Sequence, residues 1–405
     1  MRGKLVPRTW TWNPILHAPP RYRRACEYHA FIPSDLVGTD FQLSAGVAAT
    51  IAEAEKAILA LNAESDAASL KPLARLLLRT ESIASSKIEG LQVGIRQLAR
   101  AQSKLATGGG VSASVREVLG NIDAMQLAVD EAAAADAIDQ DHLIRIHSTL
   151  MESAPNSHVA GRIRKEQNWI GGNDYNPCGA DFVPPPPEEL ERALRDLSRA
   201  LAEEEFSPIV QAALIHAQFE TIHPFMDGNG RTGRALIHVV LRRRGMAMTY
   251  VPPISVILAS DRGHYIRGLE AFRSDDVESW VEQFAVAAKR SADLATAYLG
   301  GVERLMTRWR EKLREGAAPR SDAAAWALID VLPAYPVITS PTAVSATGRA
   351  KSAVHQGIDQ LVECGVLEPV SASKRNRSWE ASGLLDLLEG LEGGEVPLPE
   401  SRDAG

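Results

Sequence analysis

The sequence contains no long hydrophobic run, and no stretch approaches the roughly 18 apolar residues that a membrane-spanning helix needs. The first 24 residues are basic and contain no acidic residue. They also lack the apolar centre of a signal peptide, because several prolines interrupt them. We therefore expect a cytoplasmic protein that makes no membrane contact.

Cysteine is scarce, with only Cys26, Cys178 and Cys364 in 405 residues. The three lie far apart in the sequence, and they form neither a CxxC pair nor a metal-ligand spacing. We therefore expect neither a disulfide framework nor a structural zinc site. This cysteine usage fits the reducing cytoplasm.

Aromatic residues are few, at 5% of the chain, and neither sign of charge dominates. The 44 Lys and Arg residues against 51 Asp and Glu residues give a net charge of −7, which argues against a protein that coats nucleic acid. With 45% hydrophobic and 23% charged residues, the composition excludes a disordered chain, a collagen-like fibre and a coiled-coil rod. The length indicates two or three domains.

Apolar residues recur at helical spacing along most of the chain, which predicts a mostly α fold. The Pro-, Trp- and Arg-rich start, to about Leu36, is predicted to be irregular, and Asp141 is predicted to be the N-cap of a helix. The predicted divisions are an N-terminal region (1–110) with a helix at about 72–91, a core (111–315), a tail domain (321–388) and a flexible end (389–405).

Residues 161–187 interrupt the helical pattern. Ile163, Trp169 and Ile170 alternate with polar residues, turn residues follow, and four consecutive prolines close the segment. This arrangement predicts a β-hairpin that ends in a polyproline stop. An isolated hairpin in a helical chain either works at the surface or simply connects two helices, and the sequence leaves both interpretations open.

The tail domain is predicted to contain a helix, a second helix at 347–363, and short strands at 364–370 and 378–381, a pattern typical of a winged helix. Basic and polar residues on the second helix and the wing would contact DNA phosphates. Asp359 and Glu363 on the same helix favour the alternative, a module that docks protein or supports a dimer. The candidate DNA contacts are Arg349, Lys351, His355, Gln356, Lys374, Arg375 and Arg377.

Chemistry-bearing residues are concentrated between two predicted helices, at 223–234. A Gly-Asn-Gly turn that opens a helix directs backbone N–H groups at an anion, and the helix dipole adds to the attraction. Arg231 and Arg234 lie one turn apart and suit phosphate oxygens. Asp227 is a lone carboxylate suited to Mg²⁺ held through phosphate, and His223 is a base that titrates near neutral pH. Together they predict a nucleotide-phosphate site.

Residues 223–234 match the signature HPFx(D/E)GNGRxxR of the Fic family at every defined position. The segments 167–172 and 182–186 resemble the flap hairpin of that family, and 28–36 resembles its N-terminal entry. The resemblance covers about residues 28–290. It implies a helical Fic-type core with a β-hairpin flap, and transfer of AMP from ATP to a protein hydroxyl.

The resemblance also implies a role for each matching residue. His223 would deprotonate the Ser, Thr or Tyr of the target, and Asp227 would hold Mg²⁺ on the α- and β-phosphates. Arg234 would bind the γ-phosphate, and Tyr265 is expected to line the adenine pocket, although His264 stands where many members have a second Tyr. The remaining implied sites are the phosphate nest (Gly228, Asn229, Gly230, Arg231), a loop anchor (Phe225) and a flap that docks the target backbone (Gln167, Asn168, Trp169, Ile170).

Residues 85–90 resemble the inhibitory motif of the same family, (S/T)xxxE(G/N). The resemblance implies that Glu89 pairs with Arg234 and so removes the partner of the γ-phosphate, while Ser85 seats the inhibitory helix. The plain alternative is a surface Glu beside an ordinary helix-ending glycine.

Two classes of function remain at this point. One is a self-restrained protein adenylyltransferase that modifies a target protein or itself, and close relatives of such an enzyme remove AMP instead. The other is a DNA-binding regulator whose core senses nucleotide. An intact His223 favours the enzyme, because nucleotide sensing does not require a base there. The family also leads us to expect a homodimer.

Overall fold

A computed structural model describes residues 3–14, 17–63, 70–370 and 377–395. The described chain is mostly helical, with two small antiparallel sheets. The strands are β1 (Lys4–Trp10), β2 (Cys26–Ile32), β3 (Val337–Thr339), β4 (Leu367–Pro369) and β5 (Ser378–Ala381). The helices are α1 (Ala45–Ala63), α2 (Leu70–Ile88), α3 (Ile95–Leu105), α4 (Ala113–Leu127), α5 (Gln140–Met151), α6 (Leu190–Ala202), α7 (Pro208–Ile222), α8 (Asn229–Arg243), α9 (Ile254–Ser260), α10 (Arg262–Arg273), α11 (Val277–Gly316), α12 (Ala324–Val331), α13 (Ser340–Thr347), α14 (Lys351–Glu363) and α15 (Leu384–Gly393).

The chain divides into two compact units, each assembled from three segments. The predicted domains were continuous stretches of sequence, whereas each unit combines separate segments. The predicted domain boundaries remain a prediction. The first unit comprises 1–53, 123–245 and 263–286, and the second comprises 54–122, 246–262 and 287–405.

The first unit is organised around α7, in which every residue from Ile209 to Ile222 is buried. A helix that is buried on all sides must be surrounded by other elements, and its mainly apolar sequence allows this. The indole of Trp280 packs in the same core and donates from Nε1 to the carbonyl oxygen of Ala213 at 2.8 Å. This core gives α7 a fixed position, and with it the loop that follows.

The predicted irregular start was wrong, because β1 and β2 pair along their whole length, from Lys4 with Ile32 to Trp10 with Cys26. The long connection between the strands, together with Pro7 inside β1, concealed the hairpin from pattern analysis. A disulfide also joins Cys26 to Cys178, across 152 positions, with Cα atoms 6.2 Å apart. The expectation of no disulfide framework did not foresee this bond, since only the fold brings β2 beside the loop that contains Cys178.

The predicted hairpin at 161–187 is present only as a minimal bridge, in which Ile170 pairs with Phe182. The start of the segment pairs elsewhere, because Ile163 bridges to Phe225 in the loop after α7. Proline and glycine limit the length of a regular strand here. The segment is therefore an ordered loop with one bridge, and we call residues 161–187 the flap.

The tail part of the second unit contains α12, α13 and α14 together with a three-stranded sheet in the order β3-β5-β4. Helices α12 and α13 stand where the first helix was predicted, and β3 lies between them. Gly348, with a φ of +65°, ends α13, so the second predicted helix begins at Lys351 as α14. Strands β4 and β5 lie within the two predicted segments, whereas β3 was not predicted. Lys374 and Arg375, predicted to lie on the wing, are outside the described residues.

Two smaller differences concern helix ends. Asp139, rather than the predicted Asp141, is the N-cap of α5, and its side chain accepts the N–H of His142 at 3.1 Å. Helix α15 continues to Gly393, inside the segment predicted as a flexible end, and residues 396–405 lie outside the described chain. Within the described residues, no helix combines the length and apolarity needed to cross a bilayer.

Candidate active site

The residues of the signature form the loop between α7 and α8 and the first turns of α8. We call residues 223–228 the motif loop. Helix α7 ends at Ile222 and α8 begins at Asn229, and both helices are buried. The loop is therefore fixed at both ends by elements that pack in the core of the first unit.

His223 is the C-cap of α7 and adopts the left-handed conformation, with φ 49° and ψ 59°. This conformation costs a non-glycine residue about 1–2 kcal/mol, so surrounding contacts must maintain it. Its Nδ1 lies 3.3 Å from the carbonyl oxygen of Glu220. Because a carbonyl only accepts, this contact is a hydrogen bond when Nδ1 carries the proton, and Nε2 is an acceptor in that tautomer. Glu220 Oε2, 3.9 Å from Nδ1, would stabilise the positive charge if Nε2 took up a proton.

Arg164 of the flap holds the strained backbone of His223 in place. Its Nε donates to the carbonyl oxygen of His223 at 2.9 Å, and its Nη2 donates to that of Pro185 at 2.5 Å. The side chain also reaches the carbonyl of Glu166, and its backbone N–H donates to Pro224. Arg164 is 3% exposed, and burial lowers its pKa to about 10, so it remains a cation at neutral pH. One guanidinium thus ties the flap to the motif loop.

His147 of α5 supports the loop from its other side. Its Nδ1 accepts the N–H of Gly161 and its Nε2 donates to the carbonyl oxygen of Asp227, both at 2.9 Å. The ring lies parallel to that of Phe225, with 3.7 Å between centroids. Burial lowers the pKa of His147 to about 4, so the imidazole is neutral and its single tautomer satisfies both bonds.

Asn229 and Gly228 close the loop at the start of α8. The Asn229 side chain accepts the N–H of Phe225 at 2.9 Å and donates to its carbonyl at 2.8 Å. Gly228 has a φ of +76°, and a Cβ there would lie 2.9 Å from the sulfur of Met151. The Asn229 side chain therefore stabilises the loop, and any contribution of this residue to an anion site comes from its backbone N–H. At position 228 only glycine fits without displacing neighbouring atoms.

Asp227 is the half-exposed carboxylate of the loop. Its Oδ1 accepts the N–H of Gly228 and its Oδ2 accepts from the side chain of Asn156, both at 2.6 Å. Arg231 Nη2 lies 3.8 Å from Oδ1. Among the described residues, no group of three or more potential metal-binding side chains occurs. Asp227 therefore fits a Mg²⁺ ion held by one carboxylate together with substrate phosphates, and it does not fit a cage made of protein ligands alone.

The two arginines of the signature are both buried, with Arg231 4% and Arg234 1% exposed. They lie on α8 in its first two turns, where the backbone amides of residues 229–231 have no intrahelical acceptor. Helix α8 has no side-chain cap at its N-terminus. Two guanidinium groups and a helix N-terminus thus concentrate positive potential at the motif loop.

Gly233 allows α7 and α8 to approach closely. A Cβ at this position would lie 2.7 Å from Glu220 Oε1 and 2.9 Å from the ring of Phe219. The spacing of the two helices, and so the position of Arg234 relative to His223, depends on this glycine. No role was predicted for this glycine from the sequence, although its place between the two arginines of the signature was a signal.

Tyr265 of α10, expected to line the adenine pocket, is 4% exposed. Its hydroxyl lies 2.9 Å from Nε2 of His216, which is itself fully buried. Burial, with Arg234 adding a smaller effect, lowers the pKa of His216 to about 3. The Tyr265 ring would have to be uncovered before it could contact a nucleotide.

The four flap residues expected to dock a target differ in their surroundings. Asn168 is buried, and its Nδ2 donates to the carbonyl of Phe225 at 2.8 Å, which supports the motif loop. Gln167 Nε2 donates to Pro184 at 2.9 Å, and Trp169 Nε1 donates to Asn173 at 2.6 Å. Ile170 is the exposed member, at 37%.

The residues of the inhibitory motif belong to the second unit. Helix α2 ends at Ile88, and Glu89 follows at the C-cap position with an exposed side chain. Gly90 has a φ of +88°, and Leu91 N–H donates to Ser86 at 3.1 Å while Gly90 N–H donates to Lys87 at 2.9 Å, the pattern of a Schellman motif. Ser85, on the last turns of α2, is fully buried. The helix-ending role of the glycine was therefore correctly anticipated.

Three further residues of the site were missed by the sequence analysis. Arg164, His147 and His216 are distant from the signature in sequence, and nothing in their local pattern marks them. A buried arginine or histidine is recognised only when the fold shows which groups surround it.

Comparison with known families gives a consistent result. Residues 137–241 match the Fic/DOC family, and residues 48–130 match the Fic/DOC family N-terminal region. Both of these stretches of the chain are therefore similar to the Fic/DOC family. The first match contains α5, the flap and the motif loop, and the second contains the inhibitory motif.

Curated relatives share this part of the chain. A Nematostella vectensis protein named protein adenylyltransferase Fic is 32% identical over 220 residues, which are 53% of this chain and 47% of that protein. The Caenorhabditis elegans protein adenylyltransferase fic-1 is 29% identical over 171 residues, 42% of this chain and 30% of that protein. The chain thus spans less than half the length of these relatives.

Solved structures support the fold. A Fic family protein from Desulfovibrio desulfuricans G20 is similar with a TM-score of 0.54 and 21% identity, over 85% of this chain and 98% of that one. A Fic domain containing signaling protein from Bacteroides thetaiotaomicron has a TM-score of 0.51 and 20% identity, over 61% of this chain and 95% of that one. At these identities the likeness concerns the fold alone.

Proposed function

We propose that the protein is an adenylyltransferase that transfers AMP from ATP to a hydroxyl of a target protein, with itself as one substrate. The observation that carries the proposal is the contact between Nδ1 of His223 and the carbonyl oxygen of Glu220, at 3.3 Å. This contact favours the tautomer in which Nε2 accepts a proton, and His223 belongs to the motif loop that leads into the uncapped N-terminus of α8. A proton acceptor next to an anion site is the pair that such a transfer requires.

The reaction would run as an in-line displacement at the α-phosphorus. The hydroxyl oxygen of the target attacks phosphorus and its proton passes to Nε2 of His223. A new oxygen–phosphorus bond forms, the bond from the α-phosphorus to the bridging oxygen breaks, and diphosphate leaves. Because His223 needs little more than to take one proton, positioning and charge neutralisation supply most of the rate.

The buried charges around the motif loop fit a triphosphate. The amides of Gly228, Gly230 and Arg231 would bind phosphate oxygens, and Arg234 would hold the γ-phosphate, as the family resemblance implies. Asp227 would hold Mg²⁺, which would neutralise charge on the α- and β-phosphates when bound. The half-exposed Asp227 carboxylate supports this role, because it remains open to solvent on one side.

The flap would present an edge to the backbone of the target. The exposed side chain of Ile170 supports this role. The backbone N–H and carbonyl of Ile170 pair with Phe182 and Asp181 inside the flap, so pairing with the target would use its neighbours. The side chains of Gln167 and Trp169 are hydrogen-bonded within the flap, so they would hold its edge in shape. The target would then be contacted by the backbone of the flap. Main-chain pairing of this kind gives affinity with little dependence on target sequence.

Glu89 would restrain the enzyme, with Arg234 as its proposed partner. A carboxylate at the γ-phosphate position would repel ATP and leave the α-phosphate misaligned. The exposed position of Glu89 immediately after α2 supports this role, and Ser85 would help to seat the helix.

The transferred group distinguishes this proposal from other phosphate chemistry. The Glu89→Gly variant is incubated with ATP labelled either at the α- or at the γ-phosphate, with Mg²⁺ and a cell lysate. Protein label from α-labelled ATP alone supports AMP transfer. Label from γ-labelled ATP would identify a kinase-type transfer and contradict the proposal, and AMP release from labelled protein would favour the reverse activity.

The tail domain offers a second and separate candidate function, as a winged helix that binds duplex DNA. The sheet order and the helices α12–α14 support this topology, and a groove of about 920 Å³ is lined by Lys351, His355, Arg377 and Trp379. Asp359 lines the same groove and weakens the attraction for phosphate. Binding to duplex DNA that weakens steeply between about 50 and 200 mM salt supports this function, and a flat response contradicts it.

A further inference from the structure

Helix α15, near the end of the described chain, contacts the segment that contains Glu89. We call residues 86–95 the brake segment. It comprises the last turn of α2, the turn with Glu89 and Gly90, and the start of α3. All of these residues and α15 belong to the second unit.

The carboxylate of Glu392 on α15 bridges the two ends of the brake segment. Its Oε1 lies 2.5 Å from Lys87 Nζ, an ion pair, and its Oε2 accepts the N–H of Ile95 at 2.8 Å. Lys87 precedes Glu89 by two positions, and Ile95 follows it by six. The Glu392 side chain is 6% exposed and that of Lys87 is 32%, so the carboxylate is shielded from water while the lysine end of the bridge is partly exposed.

Glu392 also serves as the missing cap of α3. Gly94 is the N-cap of that helix and has no side chain to accept an amide, whereas both Glu392 oxygens lie 3.6 Å from where a Gly94 Cβ would be. A negative charge at a helix N-terminus is favourable, because it meets the positive end of the helix dipole. One carboxylate therefore caps α3 and pairs with the last turn of α2.

Other contacts attach the same helices to the tail. Arg96, the second residue of α3, donates to Glu380 at 2.6 Å and to Glu389 at 2.8 Å. Arg79 of α2 donates to the carbonyl of Ala334 at 2.5 Å. Within the second unit, α2 and α3 thus share a charged interface with the tail.

We infer that Glu392 is a positioning residue of the brake, so that the tail helix α15 sets the conformation in which Glu89 inhibits. The inference rests on the proposed inhibitory role of Glu89. Loss of Glu392 frees Lys87 and uncaps α3, and the turn between them, which holds Glu89, then samples other conformations. A ligand or partner that moved α15 would release the brake by the same route.

The activity test compares AMP incorporation by the wild type, Glu392→Ala, Glu392→Gln and Glu89→Gly proteins. We expect Glu392→Ala to raise incorporation about fivefold or more, toward the level of Glu89→Gly. Glu392→Gln keeps an acceptor for Ile95 and should give a smaller rise. The matched control is Glu389→Gln on the same helix, which loses a contact to Arg96 but does not touch the brake segment, and it should stay within about twofold.

The double variant shows whether Glu392 acts through Glu89. Glu89→Gly with Glu392→Ala should be no more active than Glu89→Gly alone. A further fivefold rise in the double variant would overturn the inference, because Glu392 would then act elsewhere. The inference would also be overturned if Glu392→Ala incorporated AMP only at the wild-type level while Glu89→Gly was active. That result would leave the proposed function intact. If Glu89→Gly itself shows no rise, the proposed brake fails instead.

Hydrogen exchange gives a readout that does not depend on catalysis. Amides of residues 86–95 should exchange faster in Glu392→Gln than in the wild type, while those of α7 and α8 remain unchanged. Unchanged exchange across 86–95 would contradict the inference. Because Glu392→Gln preserves the shape of the side chain, this measurement remains decisive if Glu392→Ala folds poorly.

Discussion

The motif loop and the brake segment are both short turns between helices, but they are held in different ways. The motif loop is fixed by buried groups on several sides, among them Arg164, His147 and Asn229. The brake segment has an exposed Glu89 and depends on side chains far away in sequence, above all Glu392. Under the proposed function the motif loop is the catalytic turn and must keep one geometry. The brake segment is then the regulatory turn and must be able to leave its geometry at a modest cost.

This difference gives opposite expectations for substitutions. Changes that loosen the motif loop should lower stability and activity together, because the loop positions the base. Changes that loosen the brake segment should raise activity with little loss of stability.

Replacing Arg164 with Ala should have the largest effect on stability. It leaves the carbonyl oxygen of Pro185 without its buried donor, and that of His223 with only the longer bond from Asn168 at 3.3 Å, which costs about 2–4 kcal/mol. AMP incorporation should fall as well. Urea unfolding measures the change, and Arg162→Ala, at an exposed neighbouring position, serves as the control with an effect within about 0.5 kcal/mol. Equal stability of both variants would show that the motif loop does not need this support.

Replacing Gly228 with Ala should destabilise by about 1–3 kcal/mol, since it combines a left-handed φ with a contact to Met151. Gly245→Ala is the matched control, because Gly245 has a φ of +71° and a Cβ there would meet no atom within 4 Å. The difference between the two variants in the free energy of unfolding by urea therefore measures the cost of the contact with Met151. A larger loss at 245 would contradict close packing beneath the motif loop.

Acidification should weaken the first unit through His147 and His216. Their folded pKa values, about 4 and about 3, lie below the ordinary value of 6.5. Between about pH 6.5 and 4 the unfolded chain therefore binds protons that the folded chain excludes. Stability should be constant above that range and fall by up to about 1.4 kcal/mol per pH unit and histidine within it.

Urea unfolding at a series of pH values measures this slope. His147→Gln should remove one histidine's share of it, while His158→Gln, at an exposed position, should leave it unchanged. A slope that is the same in all three proteins would show that His147 is not held neutral.

Replacing Lys87 with Met should have the smallest effect, since it removes only the partly exposed ion pair with Glu392. Such pairs contribute about 0–1 kcal/mol, so AMP incorporation should rise by no more than about fivefold without a measurable change in unfolding. Lys289→Met, which removes an exposed ion pair with Asp293, is the control. A fall in AMP incorporation by Lys87→Met would contradict the expectation that loosening the brake segment raises activity.

The sequence predicted the helical fold, because helical periodicity is encoded locally. Residues 223–234 were predicted to lie between two helices, and they follow α7 (Pro208–Ile222) and open α8 (Asn229–Arg243). The pairing of β1 with β2 and the disulfide of Cys26 were missed, since they depend on contacts between distant segments. Arg164, His147 and Glu392 were missed for the same reason, because their partners lie on other elements.

The most direct test of the account measures AMP incorporation from α-labelled ATP by four proteins under identical conditions. These are the wild type, Glu89→Gly, His223→Ala and the variant with both changes. The account predicts little label in the wild type, strong label in Glu89→Gly, and a loss of about 10²–10⁴-fold when His223 is also replaced. Equal labelling of Glu89→Gly with and without His223 would contradict the central claim that this histidine is the base.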